Sequence, residues 1–116
     1  MNVVTETLPT GIGVIAVSGP LLSEQELEGL RKAIREYVDR EEKKLLIDLG
    51  GVTYLNSSAM ALLVSAHTTY SKRHWQLKLC NIHKNAYVVF AVTRLDKVFS
   101  IIDSRNDAVE SFARHH

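Results

Sequence analysis

The sequence predicts an α/β fold: a mixed sheet of four to five strands with about four helices mainly on one face. Three observations predict it. Short aliphatic runs of strand length, such as Ile12–Ser18 and Leu45–Leu49, alternate with amphipathic stretches long enough for helices. Only the first two strands are close enough in sequence to form a hairpin, so the sheet begins antiparallel. The later strands are separated by helical crossovers, and right-handed crossovers impose parallel pairing there.

Val3–Leu8 reads as an edge strand, ended by the turn residues Pro9-Thr10-Gly11. Ile12–Ser18 has β-branched residues at 12, 14, 15 and 17, which suit a pleated, half-buried surface. Gly19-Pro20 stops it. Ser23 stands three residues before Glu26, the spacing of a capping box, and opens a helix. That helix gathers Leu27, Leu30, Ile34, Tyr37 and Val38 on one face, with Glu28, Arg31, Lys32, Arg35 and Glu36 on the other. The charged run Asp39–Lys44 is a solvated connection.

Leu45–Leu49 is apolar on both faces and belongs in the middle of the sheet. The stretch Leu45–Val64 then reads as buried strand, polar bend and buried helix, with Asn56-Ser57-Ser58 at the join. The helix is expected to run to about Arg73, burying Leu62, Leu63, Ala66 and Tyr70. Gln76–Cys80 alternates as a strand with Leu77 and Leu79 on one side. A third helix over about Asn85–Thr93 contains Tyr87-Val88-Val89-Phe90, too many consecutive apolar residues for one face. One or two of them must be exposed or meet a partner. Val98–Ile102 is expected as the last strand, and Ser104 as the cap of a final helix with Ala108, Val109 and Phe112 inside.

Composition narrows the function classes. The chain has 116 residues, which fits one domain over 1–114, and His115-His116 read as a tag remnant without functional weight. Lys+Arg is 14 and Asp+Glu 13, so the net charge is +1, which argues against nucleic acid as the main partner. No apolar run approaches the roughly 20 residues needed to cross a bilayer, so membrane insertion is not expected. Asn2–Thr10 carries Glu6 and Pro9 instead of a basic start and an apolar block, so a signal peptide is not expected and the default is cytoplasmic. The single cysteine, Cys80, has no internal disulfide partner and reads as a small buried hydrophobe.

Several side chains invite chemistry and are weighed down by spacing. His67 and His74 are expected to share a helix face, but the set lacks further ligands, so no metal or cofactor is expected. His83 reads as a surface loop residue. Gly50-Gly51 lacks the Gly-Lys-Ser/Thr ending of a phosphate loop. A hydrolase using Ser57, a histidine and Asp48 is a third reading, without the strained Gly-x-Ser-x-Gly turn that such enzymes use. Trp75 with Tyr70 and Arg73 reads either as an exposed contact patch or, the commoner case, as a helix end packed on the next strand.

The segment Leu55-Asn56-Ser57-Ser58-Ala59-Met60, the LLIDLGGVTY before it, and Leu95–Ile101 followed by Asp103-Ser104 resemble the STAS domain (sulphate transporter and anti-sigma factor antagonist). The chain looks most like the free-standing bacterial anti-sigma factor antagonists. The resemblance implies a STAS-like sheet-and-helix fold and a regulatory protein that is not an enzyme. It implies partner switching: an anti-sigma factor that is also a serine protein kinase phosphorylates the serine after the motif's Asp, here Ser57, and a phosphatase reverses the modification. Asn56, Ser57, Ser58, Ala59, Met60 and Leu22 are the implied partner-binding positions. The chain departs from the family pattern at three of them. Asn56 replaces Asp, Ala59 replaces Gly, and Leu22 stands where a Gly-x-Leu-Asp segment has its acid. A phosphate on Ser57 would add about −1.5 to −2 charges. At a helix N-terminus the fold tolerates that charge, with about 0.3–1 kcal/mol in its favour. The bland reading makes Ser57 or Ser58 only a helix cap. The alternative function is a STAS subunit that docks constitutively on a larger assembly, such as a transporter ATPase or a stress-signalling complex. Oligomeric state is not encoded in any pattern here.

Overall fold

The computed structural model describes residues 2–19 and 24–113. The expected cap Ser23, the partner position Leu22 and the His115-His116 pair lie outside the described residues. Elements follow the expected order: β1 (Asn2–Thr7), β2 (Gly13–Ser18), α1 (Glu24–Asp39), β3 (Lys44–Gly51), α2 (Ser57–Lys72), β4 (Gln76–Cys80), α3 (Lys84–Val92), a 3-10 turn (Leu95–Lys97), β5 (Ser100–Ile102) and α4 (Arg105–Ala113). The strands lie side by side in sequence order, β1-β2-β3-β4-β5. β1 and β2 form the antiparallel hairpin, and the other neighbours are parallel.

Period-two alternation sorts the sheet into two faces. Ile15 and Val17 of β2, Leu45, Ile47 and Leu49 of β3, and Leu77 and Leu79 of β4 meet α1, α2 and α3 in the main core. Val14, Leu46 and Cys80 point the other way, onto Ala108 and Phe112 of α4. The helices are thus mainly on one face, as expected, with α4 alone behind. Tyr37 and Tyr70, both fully buried, carry their hydroxyls to the core's edge, where each donates 2.7 Å to a backbone oxygen, of Glu6 and Glu42 respectively. Gly13 is required beneath Tyr37, since a Cβ there would fall 2.5 Å from the ring. Ser104 caps α4 as expected, its Oγ accepting from Asp107 N at 3.1 Å.

Three expectations are corrected. β5 is shorter than Val98–Ile102, because Phe99 is drawn into the core while Val98 is left 47% exposed. His67 and His74 do not share a helix face, since His74 lies past the end of α2 with φ at 60°. Within α2 the buried stripe is Ala59, Met60, Leu63, Ala66 and Tyr70, and Leu62 is only partly covered.

Cys80 sits in the smaller core between β4 and α4, fully buried. Burial first, and the negative charge of Asp48 next, push its thiol up from 9.0 to about 12. The folded value is raised, so the associated stability is fully present below pH 9 and lost as pH rises towards about 12. Urea unfolding across that window is expected to show stability falling more steeply in the unsubstituted protein than in Cys80→Ala, by up to about 1.4 kcal/mol per pH unit. Tyr70, raised chiefly by burial, adds an alkaline limb of the same sign to both proteins. Parallel curves would rule out the buried thiol as a source.

Candidate functional site

The chain leaves β3 through Val52 and Leu55, both buried in the main core, with Tyr54 turned outward between them. These two anchors fix where α2 starts. Asn56 precedes the helix with extended backbone, φ −89° and ψ 179°, and its Oδ1 accepts from Ala59 N at 2.9 Å. Its carbonyl accepts from Met60 N at 3.0 Å. Asn56 is therefore the N-cap, which corrects the reading of Ser57 or Ser58 as the cap. Asn caps a helix as well as Asp does, because the side-chain oxygen makes the bond in either residue.

Ser57 and Ser58 are consequently the first two helical residues. Both are exposed, and no hydrogen bond among the described residues engages either hydroxyl. Ala59 and Met60 are placed differently from the expectation that they form the interface end of the helix. They are 0% and 7% exposed, at the head of the buried stripe that repeats through Leu63, Ala66 and Tyr70. The motif is thus split by helical periodicity into two outward serines and two inward anchors.

The surface beside the serines is shared with α1. Ser58 borders a shallow depression with Glu24, Arg31, Ala61, Leu62 and Ser65. Arg31 bridges Glu28 at 2.7 Å and Glu24 at 3.6 Å. The sequence reading put Arg31 on a solvated face and missed its place next to the serines. The Glu24, Glu28 and Arg31 spacing of i, i+4 and i+7 is the signal that places these groups on one stripe of α1. The first turn of α2 carries no acid, so the helix dipole is uncompensated there by its own side chains.

Other expected chemistry is not assembled here. Asp48 faces the α4 side of the sheet, whereas α2 packs on the opposite side. Its carboxylate accepts from Gly50 N, Asn81 Nδ2 and Arg105 Nε, and no hydrogen bond among the described residues joins it to a histidine or to Ser57. His67 packs edge-on against Phe99, and His83 is the exposed N-cap of α3. Among the described residues no three His, Cys, Asp or Glu side chains gather as a metal set, and no helix is long and apolar enough to cross a membrane.

Comparison with known proteins places the fold. The family model described as STAS domain matches residues 4–108. BtrV of Bordetella bronchiseptica, whose name assigns it to the anti-sigma factor antagonists, is 22% identical over 99 residues, 85% of this chain and 85% of that protein. An anti-sigma factor antagonist from Mycobacterium paratuberculosis has the same fold with a TM-score of 0.85, at 24% identity, over 95% of this chain and 92% of that one. The Bacillus cell fate determinant SpoIIAA, solved in its phosphorylated form, matches with a TM-score of 0.77 at 16% identity, over 96% of this chain and 99% of that one. With a family match across most of its length, the chain belongs to the STAS domain family and has the fold of the anti-sigma factor antagonists.

Proposed function

We propose that this chain is an anti-sigma factor antagonist that works by partner switching. Asn56, Ser57 and Ser58 form the partner-facing junction, Ser57 is the phosphoacceptor, and the partner is an anti-sigma factor with serine kinase activity. A phosphatase restores the unmodified state, and the chain itself is a non-enzymatic cytoplasmic regulator. The observation that carries this reading is the Ser57 hydroxyl, exposed at the first residue of α2 and released from capping duty by Asn56. A phosphate can be added there without displacing any hydrogen bond made among the described residues. SpoIIAA, a protein of the same fold, exists in a phosphorylated form, which supports the chemistry.

The regulatory sign follows from electrostatics. A dianion in an interface that fits a neutral hydroxyl must be desolvated and meets any partner carboxylate with repulsion. The expected result is a loss of at least about tenfold in partner affinity, or about 1.4 kcal/mol. The test incubates the chain with ATP and the anti-sigma factor kinase encoded nearest to its gene. One phosphate per chain is expected by mass spectrometry, abolished in Ser57→Ala and retained in Ser58→Ala. Incorporation that survives Ser57→Ala would move the site elsewhere. No incorporation with tight binding retained would favour constitutive docking, a reading supported by the neutral Asn56 and the acid-free first turn of α2.

A further inference from the structure

We infer that the outer edge of β1 docks a second copy of this chain, which adds its own β1 antiparallel across a two-fold axis at Val4 and so joins two five-stranded sheets into one. This contact rests on no part of the phosphoacceptor reading.

The phase of the hairpin decides which backbone groups face outward. Leu8 N donates to Ile12 O at 2.9 Å, so these two residues form a hydrogen-bonded pair. Such pairs alternate with non-hydrogen-bonded ones along an antiparallel ladder. In the register of β1 on β2, Glu6 with Val14 and Val4 with Ala16 are then the next hydrogen-bonded pairs. Val3, Thr5 and Thr7 therefore turn their N–H and C=O groups away from β2. β1 is the end strand of the sheet, and no backbone hydrogen bond from another described element reaches those groups.

The sheet guards its two edges differently. β5 is three residues long, and so short an edge offers little to a neighbouring strand. β1 runs six residues in unbroken register, Asn-Val-Val-Thr-Glu-Thr, without the proline, lysine or bulge that commonly blunts an edge. Its one charge, Glu6, is held within the chain by Arg105 at 2.9 Å. On the same face of the sheet α4 packs over β3, β4 and β5, and Val4 is left 62% exposed.

The strand complements itself best in one register. Outward groups must meet outward groups, so the two-fold axis falls at a paired residue of β1. An axis at Val3 overlaps only residues 2–4. One at Glu6 overlaps only residues 5–7 and sets two carboxylates side by side. One at Thr5 overlaps residues 3–7 but sets each Glu6 against Val4 of the other copy, which offers a carboxylate no hydrogen bond. An axis at Val4 overlaps residues 2–6 and stacks the exposed valines as a close, non-hydrogen-bonded pair. Val3 and Thr5 then exchange ladder bonds with Thr5 and Val3 of the second copy. Such a contact uses the same patch on both chains and closes at two.

Over about 0.02–2 mM, sedimentation equilibrium is expected to show monomer passing to dimer with a Kd of about 0.1–1 mM, the weak affinity of a small contact. Val4→Lys sets two ammonium groups side by side, and is expected to raise Kd at least about tenfold with an unchanged circular dichroism spectrum. Val88→Lys, at an exposed position on α3, is expected to leave Kd unchanged. In the unsubstituted protein the amide NMR signals of Val3 and Thr5 are expected to shift with concentration. Val4→Cys is expected to close an intermolecular disulfide faster than Val88→Cys, since Cα atoms of such a strand pair lie about 4.5 Å apart, within disulfide reach. Cys80 is fully buried and takes no part. The inference is overturned by a monomer at every concentration, by a dimer that Val4→Lys leaves intact or that Val88→Lys weakens as much, by shifts centred away from β1, or by equal disulfide rates. The amide mapping needs no variant to fold.

Discussion

Replacing Phe90 with alanine is expected to cost about 3–5 kcal/mol, the range for deleting a buried aromatic ring. Phe90 is fully buried, and α3 buries only one other residue, Ala86. Docking of a nine-residue helix therefore rests on this ring. Phe90 also holds Phe99 edge-on at 5.6 Å and 83°, and Phe99 in turn holds His67. Removing the ring releases α3, the approach to β5 and one wall of the α2 terminus together. Urea unfolding gives the cost. Val88→Ala and Val92→Ala, at 57% and 77% exposed positions of the same helix, are expected to stay within about 0.5 kcal/mol. A Phe90→Ala cost below about 1 kcal/mol would mean that α3 does not pack through this residue.

The same helix shows what was legible in the sequence. Four consecutive apolar residues required that some be exposed, but periodicity alone left open which. The contact with Phe99, distant in sequence, selects Phe90 as the inward one and leaves Tyr87 and Val88 outside. The β5 boundary failed for the same reason. Val98-Phe99-Ser100 reads as strand locally, yet Phe99 is more strongly buried by turning away from the sheet. The succession of elements, the hairpin and the parallel crossovers were readable because they depend on element length and on period-two alternation, which Leu77 and Leu79 against Lys78 and Cys80 state plainly; the order of the strands across the sheet was not among the expectations. At the candidate site the polar bend was readable and the division of labour was not. Asn, Ser and Ser all cap helices, and only the backbone at Asn56 decides which one does. Arg31 was invisible as a neighbour of Ser58, since the proximity of α1 and α2 is a tertiary fact.

Asp48→Ala is expected to cost about 2–4 kcal/mol, through loss of a hub that carries no part of the proposed function. Asp48 is 9% exposed on the α4 face of the sheet. One carboxylate oxygen accepts from Gly50 N at 2.9 Å and Asn81 Nδ2 at 3.1 Å, and the other accepts from Arg105 Nε at 3.0 Å. It thus joins the end of β3, the exit of β4 and the first turn of α4. Asn81 reaches it from a left-handed position, φ 57°, which Asn tolerates better than most residues. Truncation orphans three donors, one of them charged. Arg105→Met should cost less, about 1–2 kcal/mol, because Asp48 keeps two donors and the Arg105 side chain is 36% exposed. Glu6→Gln should be nearly neutral, because the Arg105–Glu6 pair lies in solvent, where such bridges contribute about 0–1 kcal/mol. The order Asp48→Ala, then Arg105→Met, then Glu6→Gln in urea unfolding tests the hub, and any inversion counts against it. Function separates the structural role from a catalytic one. α2, with Ser57, packs on the other face of the sheet, so folded Asp48→Ala should accept phosphate at Ser57 and bind its partner as the unsubstituted chain does. A folded Asp48→Ala that lost either property would tie this carboxylate to the serine site after all, which its three hydrogen bonds on the α4 side give it no means to reach.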